Sequence, residues 1–589
     1  MTEPLQPISP LEPTTEAVPT AAVEVVSVAG GLNAPAGRPR RRRLRWAIAA
    51  VATAVVIAGS ALGFAVLSSA KSTSAVLPWA PADAILYAEV RADMPGDQRA
   101  NLLAFLSKFP GFADQTSFDA KADDGLDRLV KRLTDNKHDF ATEIKPWFGG
   151  QLGVSIEGSD PAAPGFLLVA SVSDPINAAA WLTSVAPSGA THETVGGVDL
   201  TEMADQAAGT KSAWALDGSV ILAGTVDALK AAIARGPGNG LADNAGFKAA
   251  SAALGGDSLG NVYVDVKGYL ELMTSAEARI LSQVGGEMGA ALPSLAPMPT
   301  FDTSLVPGWI ATRVRAESDH LVLDAVVPTV AGQATQASRT SALAASLPAD
   351  TLGQFEVHDV GSTLKHALTQ LEGQPGGPTA AQVDAIAKYV GGVDKAIGWI
   401  GDADVVVLRD GTAFSGGVVA QSTDAPASAD LVAELKNLAS LAGGQLGVTV
   451  RTESYNGQAI TVVGADLSGA ELGTAGKLEL AFTQTKDLVI AGIGDGFVKA
   501  VLDTKAGSSL ADQPAYQRAI GLAGASNDGQ GFVDLTALRT AVETLAAGSP
   551  HLKAYDSDVK PFLEPIQSIA WSTTMGTDVS TGRFVLVLK

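Results

Sequence analysis

The chain has 589 residues, 46% of them apolar and 17% charged, with a mean hydropathy of +0.20, which is ample material for the cores of two or three domains. Cysteine is absent, so disulfide staples and thiolate metal sites are excluded. A net charge of −21 repels phosphate, which argues against nucleic acid as a partner and against lying flat on anionic lipid.

In chain order, residues 1–37 are rich in Pro, Thr, Glu and Ala without periodicity, and read as a disordered cytoplasmic tail. Thr14 and Thr15 lie between Glu12 and Glu16, where a kinase could add charge near a basic cluster, although an inert tail is the simpler reading. That cluster is Arg38, Arg40, Arg41, Arg42, Arg43 and Arg45, and it runs into the uncharged stretch Trp46–Leu67. At about 1.5 Å per residue this stretch is roughly 33 Å long, enough for one transmembrane helix, and the arginines would hold its amino end in the cytoplasm. A cleavable signal peptide is the alternative, with Ser68-Ser69-Ala70 as its site, but the apolar core is long for one. Gly59 and Gly63 form a GxxxG pair through which two such helices could dimerise; small residues also simply abound in membrane helices. The expectation is an integral, single-pass membrane protein with everything after Ala70 outside the cell. The predicted divisions are a tail (1–45), a transmembrane helix (46–70), a linker (71–79), one repeat (80–330), a second linker (331–345) and a second repeat (346–589).

The exterior is written twice. Pro81–Val90 reappears as Pro348–Val357 with five of ten positions identical. Trp147-Phe148-Gly149 answers to Trp399-Ile400-Gly401, Leu241–Phe247 to Leu510–Tyr516, Tyr263–Val266 to Phe532–Leu535, and Trp309–Thr312 to Trp571–Thr574. This order implies a tandem duplication. Each copy begins with a strand (Ile85–Val90), followed by a helix that Asp97 can cap and a second helix near Gly125–Leu133. A hairpin (Gln151–Ile156, Phe166–Val172) precedes a helix that Pro175 opens. Strands Val198–Glu202 and Ser212–Leu222 lead to a helix capped by Thr225 and ended by Gly236. Asn261–Val266, Trp309–Ala316 and His320–Val327 close the copy. Short turns join most strands, so the expected fold is α+β: a single N-terminal transmembrane helix, then two tandem duplicated α+β domains with largely antiparallel sheets and a cleft between them.

Several strings imitate catalytic motifs. Gly492-Ile493-Gly494-Asp495-Gly496 has the look of a dinucleotide fingerprint, but its third glycine is one residue early and the first copy keeps a single glycine, Gly224. Ser362-Thr363-Leu364-Lys365 fits S-x-x-K without its partner motifs, and Ser362 reads as a helix cap. Gly256-Asp257-Ser258-Leu259-Gly260 matches the nucleophile elbow but leads from a helix into a strand, the reverse of the required order. The acidic turn Asp119–Gly125 carries Lys121 where calcium needs an oxygen. The six histidines form no HExxH or i, i+4 pair; His358 and His366, with Asp359 between them, read as incidental rather than as a metal site. Asp265 and Asp534, each inside an apolar strand, read as caps or closers of a buried hydrogen bond. No catalytic, cofactor-binding or metal-binding residue is assigned.

Pro81–Val90, with the following Pro95-Gly96-Asp97-Gln98-Arg99-Ala100-Asn101-Leu102-Leu103, resembles the opening of a bacterial family known only as a domain of unknown function, number thirty-three fifty-two. The resemblance spans most of 72–589 and implies a cell-envelope membrane protein of high-GC Gram-positive bacteria. It supplies no catalytic residue. The leading functional expectation is a non-enzymatic protein that binds an envelope protein or a ligand. The alternatives are a hydrophobic-ligand carrier with a cavity between the repeats, and a hydrolase whose site follows no motif.

Overall fold

The computed structural model describes residues 73–589 apart from 115–117, 134–135, 159–163, 204–210, 275–305, 331–336, 373–387, 389–390, 411–412, 447, 467–476 and 550–551. The expectations placed on Thr14, Thr15, the arginine cluster, Trp46–Leu67 and the Gly59/Gly63 pair therefore lie outside the described residues.

Every named strand belongs to one 20-stranded antiparallel sheet. The first ten strands are β1 (Ala84–Arg91), β2 (Phe148–Glu157), β3 (Gly165–Val172), β4 (Thr191–Val195), β5 (Val198–Glu202), β6 (Ser212–Asp217), β7 (Val220–Thr225), β8 (Gly260–Asp265), β9 (Trp309–Ala316) and β10 (His320–Pro328). Their counterparts are β11 (Thr351–Val357), β12 (Ile400–Asp410), β13 (Ala413–Ser422), β14 (Thr449–Tyr455), β15 (Gln458–Asp466), β16 (Lys477–Gln484), β17 (Leu488–Ile493), β18 (Gly529–Asp534), β19 (Ile566–Thr574) and β20 (Val579–Leu588). From one edge the first half runs β4-β5-β6-β7-β3-β2-β1-β8-β9-β10. The second half then runs back through the matching strands, β20-β19-β18-β11-β12-β13-β17-β16-β15-β14. The order thus reads the same from both edges, and the junction is a strand pairing with its own counterpart. Tracing equivalent positions along the ladders puts Asp324 and Arg583, which face each other, at the midpoint of that junction.

Two expectations are corrected here. The described residues do not form two separate α+β domains, each with its own sheet: β10 and β20 share nine residue pairs, from His320↔Val587 to Pro328↔Val579, and fuse the halves into one sheet. No helix among the described residues is long and apolar enough to cross a membrane. The match of Trp309 to Trp571 is also out of register. Tyr263 pairs with Ala311 and Phe532 with Ala570, so Ala311 corresponds to Ala570, and Trp309 to Ser568.

One face of the sheet is covered by helices Val226–Arg235, Ala245–Leu254, Asp495–Asp503 and Pro514–Ala523, and the other carries Gln98–Leu106 and Pro175–Val185. Pro514–Ala523 opens on proline and buries Tyr516, Ala519, Ile520 and Ala523, one stripe at helical spacing, and Gly524 ends it at φ 118°. With Phe497, Val498 and Val501 of helix Asp495–Asp503 it covers Val406, Val419, Ile490, Phe532, Ala570 and Val585. Val322 of the first half lies in the same core, which therefore crosses the junction. Caps differ in detail from expectation. The Asp97 and Thr225 side chains make no cap bond, and the Thr225 hydroxyl instead accepts from the Phe166 N–H across the sheet at 3.3 Å. Ser362 lies inside helix Val360–Glu372 rather than at its start, and Asp119–Gly125 is part of helix Phe118–Leu133. Asp265 and Asp534 do cap the turns that follow, accepting from Gly268 N at 3.1 Å and Ala537 N at 2.8 Å.

Candidate functional site

The helix-covered face, where an apolar surface is expected, carries a polar row. Cross-strand neighbours run without a break from Glu89 through Asn261, Arg313, Asp324, Arg583, Ser572, Gln530 and Glu356 to Asp404, one residue on each of nine adjacent strands. Period-two alternation places all nine on one face. Burying such groups is costly unless they satisfy one another. At the centre they do: Asp324 accepts from Arg583 Nε at 2.7 Å, Arg313 Nη2 at 2.9 Å and Arg315 Nε at 3.4 Å. Burial raises the Asp324 pKa, but these arginines outweigh it and hold the carboxyl below its ordinary value.

The two ends of the row are equivalent in position and different in chemistry. In the first half Glu89 is followed on the same face by Arg91, whose guanidinium forms a fork on Asp93 (2.7 and 2.9 Å) and lies 3.9 Å from Glu89 Oε1. Tyr87 donates its hydroxyl to Glu89 Oε2 at 2.9 Å, and Gln151 Nε2 donates to Asp93 at 2.8 Å. In the second half Glu356 replaces Glu89, His358 replaces Arg91 and Asp402 replaces Gln151. All three are at most 1% exposed. His358 Nδ1 stands 2.9 Å from Asp402 Oδ2 and 3.8 Å from Glu356 Oε1, and the three ligand atoms lie within 4.8 Å of one another. The far oxygen of each carboxylate is engaged elsewhere. Glu356 Oε2 accepts from Gln530 Nε2 at 3.2 Å, while Asp402 Oδ1 accepts from the Asp359 N–H at 3.1 Å and from Arg339 Nη2. Arg339 also binds Asp359 at 2.9 Å.

Burial would lower the His358 pKa, but Asp402 and Glu356 raise it above the ordinary imidazole value. Burial likewise opposes ionisation of Asp402, yet His358, Arg339 and the Asp359 N–H hold it well below the carboxylate range. Asp404 lies opposite Glu356, and burial with the Glu356 charge pushes it up to about 8, against a lowering contribution from the Phe355 backbone.

A cavity of about 220 Å³ adjoins the first-half end and is lined by Glu89, Arg91, Asp257, Asn261, Tyr263 and Arg313 among others. Ser258 of the elbow-like string is on its wall, leading into β8 as the sequence order requires of a plain turn. Burial raises the Glu89 pKa, against the lowering effects of Tyr87, Ser74, Arg91 and Asn261. A raised folded value favours folding fully below the unfolded pKa and loses that contribution as pH rises through the folded one. Glu89→Gln is therefore expected to raise the urea midpoint at pH 7, with the advantage closing towards pH 4.5; a midpoint that falls equally at both pH values would contradict this.

The opposite face has an apolar row one residue out of step with the polar one. It runs Leu323, Phe584, Trp571, Gly531, Phe355, Val405, Val418, Ala491, Phe482. Phe355 (47%), Val405 (53%) and neighbouring Ile493 (58%) are well exposed. Trp571 and Phe355 stack across Gly531, with ring centroids 6.3 Å apart; a Cβ on Gly531 would meet the indole. In the first half this face is closed by Trp147, Trp181 and helix Pro175–Val185, which pack on Ala170 and Ile221.

Sequence reasoning noticed Glu89 and Glu356 only as matched letters and missed the cluster. The available signal was a repeated Glu inside an apolar strand, followed two residues later by Arg91 in one copy and His358 in the other.

What these features define is a protein of two symmetry-related half-sheets, with a buried polar row on one side and an open apolar face on the other. The family model described as "Protein of unknown function (DUF3352)" matches residues 48–589, and the chain belongs to that family. No curated protein matches the chain. Among solved structures, crystal form I of TP0453 is similar with 9% identity and a TM-score of 0.24, covering 45% of this chain and 82% of that one. Crystal form III of TP0453 gives 11% identity and a TM-score of 0.22, covering 45% and 84%.

Proposed function

We propose that this chain is a non-enzymatic binding protein whose second half receives an apolar helix of a protein partner on its open sheet face. The observation that carries this reading is the unbroken apolar row from Leu323 to Phe482, exposed through Phe355, Val405 and Val418. Contiguous exposed apolar surface of this kind marks interaction sites on folded proteins. A helix is the favoured occupant because the same face of the first half is closed by one, Pro175–Val185, with Ala178 and Leu182 buried beneath it. The second-half counterpart, Ala425–Leu446, leaves Phe355 and Val405 open, and itself exposes Leu435, Leu438 and Leu441 at helical spacing. The cavity of about 220 Å³ lies within the first half and mixes charged residues such as Glu89, Arg91 and Arg313 with apolar ones such as Leu77, Phe247 and Leu254, so it is not the apolar cavity between the repeats that a hydrophobic-ligand carrier needs.

A photo-crosslinking residue in place of Val405, in the full chain in its native cells, tests the reading. One discrete protein adduct is expected, lost when Val418→Asp is added, while the melting temperature moves little because the site is exposed (within about 0.5 kcal/mol). Crosslinks confined to the chain itself, or adducts indifferent to Val418→Asp, would overturn it.

A further inference from the structure

We propose that Glu356, His358 and Asp402 form a divalent transition-metal site of the zinc class, in the second half only. The comparison within the molecule carries the inference. In the first half the equivalent pocket holds a built-in cation: the Arg91 guanidinium lies between Asp93 at 2.7 Å and Glu89 at 3.9 Å. In the second half His358 stands at the strand position of Arg91, and the only guanidinium described there, that of Arg339, reaches Asp402 and Asp359 rather than Glu356. His358 Nδ1 lies between Asp402 Oδ2 at 2.9 Å and Glu356 Oε1 at 3.8 Å.

The donor set is organised as a metal site requires. Ligand distances of about 2.0–2.2 Å in a tetrahedron put neighbouring donor atoms roughly 3.3–3.6 Å apart; the two separations here, 2.9 and 3.8 Å, bracket that range. Each carboxylate is held by a hydrogen bond on its far oxygen, Glu356 by Gln530 and Asp402 by Arg339 and the Asp359 N–H; the near oxygen of Asp402 also accepts from Arg339 Nε at 3.4 Å, and both near oxygens face His358. Outer groups of this kind fix ligands in known sites. Among the described residues, Glu356 Oε1 and His358 Nε2 are buried and make no hydrogen bond. Three ligands leave a fourth position open. One imidazole nitrogen with two carboxylate oxygens suits zinc and its first-row neighbours better than calcium or magnesium, which prefer oxygen alone. Charge works in both directions. Arg339 offsets Asp402 and Asp359 and discourages a further cation, whereas Glu356 has no fixed cation comparable to Arg91.

The test is calorimetric titration of the full-length chain with Zn²⁺, with Co²⁺ absorption as a second readout. One ion per chain is expected, with affinity falling at least about tenfold in Glu356→Gln and in His358→Gln. Glu89→Gln in the first half should leave binding unchanged. Co²⁺ bound to the unmodified protein should show the ligand-field bands of a low-coordinate nitrogen–oxygen site, a readout that holds even where a variant fails to fold. Absence of binding to the unmodified chain would overturn the assignment. So would binding that both variants retain, which would place the ion on half-buried pairs such as His138 with Glu143 or His320 with Asp319.

Discussion

Asp324→Ala is expected to destabilise the folded chain by about 3–5 kcal/mol, because it removes the acid shared by three arginines in a mostly buried place, of which Arg315 keeps a second partner in Glu317. The Asp324 side chain is 9% exposed; Arg313 and Arg315 are 12% and 23% exposed, so neither can simply turn to water. Arg583 is more open, at 42%, and bears less of the loss. The effect falls on the junction, since Asp324 ties β9, β10 and β20 together. Urea unfolding followed separately by probes in the two halves would show it as a lower midpoint and as a loosening of the coupling between them. The pH dependence has a definite sign. A carboxylate held below its unfolded pKa stabilises the protein above that value, and the contribution is lost as pH falls through the folded one. The gap between the native protein and Asp324→Asn should therefore be full at pH 7 and close in acid. A charge swap, Asp324→Arg with Arg583→Asp, should not restore stability, because the new arginine would face Arg313 and Arg315. A swap that restores it, or an alanine variant within 0.5 kcal/mol of the native protein, would show that the cluster does not hold the junction.

Gly417→Ala is expected to cost about 3 kcal/mol, at the upper end for overpacking a core. Gly417 and Gly492 face each other across β13 and β17, and the fully buried Phe497 ring lies on the floor they make. A Cβ on Gly417 would stand 2.5 and 2.6 Å from the ring, and it would also meet the Ala491 carbonyl, which cannot move without breaking the ladder. The first half shows the complementary solution: Leu167 stands opposite Gly224, and Leu229 replaces the phenylalanine. Gly417→Leu combined with Phe497→Leu copies that arrangement and should recover the part of the loss that comes from the ring, leaving the part that comes from the Ala491 carbonyl. Melting curves of the two single variants and the double variant decide the matter; strictly additive losses would sink the volume-exchange account.

Gly492 also shows how far sequence reading reaches. As the first glycine of a dinucleotide-like string it suggested phosphate; in the structure it makes room for Phe497, between two antiparallel neighbours of β17. Local signals served well where the cause is local. The capping aspartates Asp265 and Asp534, and the strand opening each copy, follow from alternation and turn chemistry a few residues long. The Trp309–Trp571 match went astray because a rare letter outweighed alternation, which the ladders correct by three residues. The single sheet was not legible at all. It depends on β10 choosing β20, whose facing residues Asp324 and Arg583 are 259 positions apart, and an exposed edge does not announce its neighbour. His358 was missed for a similar reason: Asp402 reaches it only across the β11–β12 pairing.

The junction has one further implication. A strand meeting its own counterpart is the geometry of an isologous dimer interface, in which each residue on the twofold axis confronts itself. Two identical halves would bring Asp against Asp or Arg against Arg at that point, and either encounter repels. Here the axis carries Asp324 and Arg583, 2.7 Å apart. Divergence at a single pair of equivalent positions thus turns a self-matching edge into a discriminating one, favouring the union of unlike halves over that of like ones.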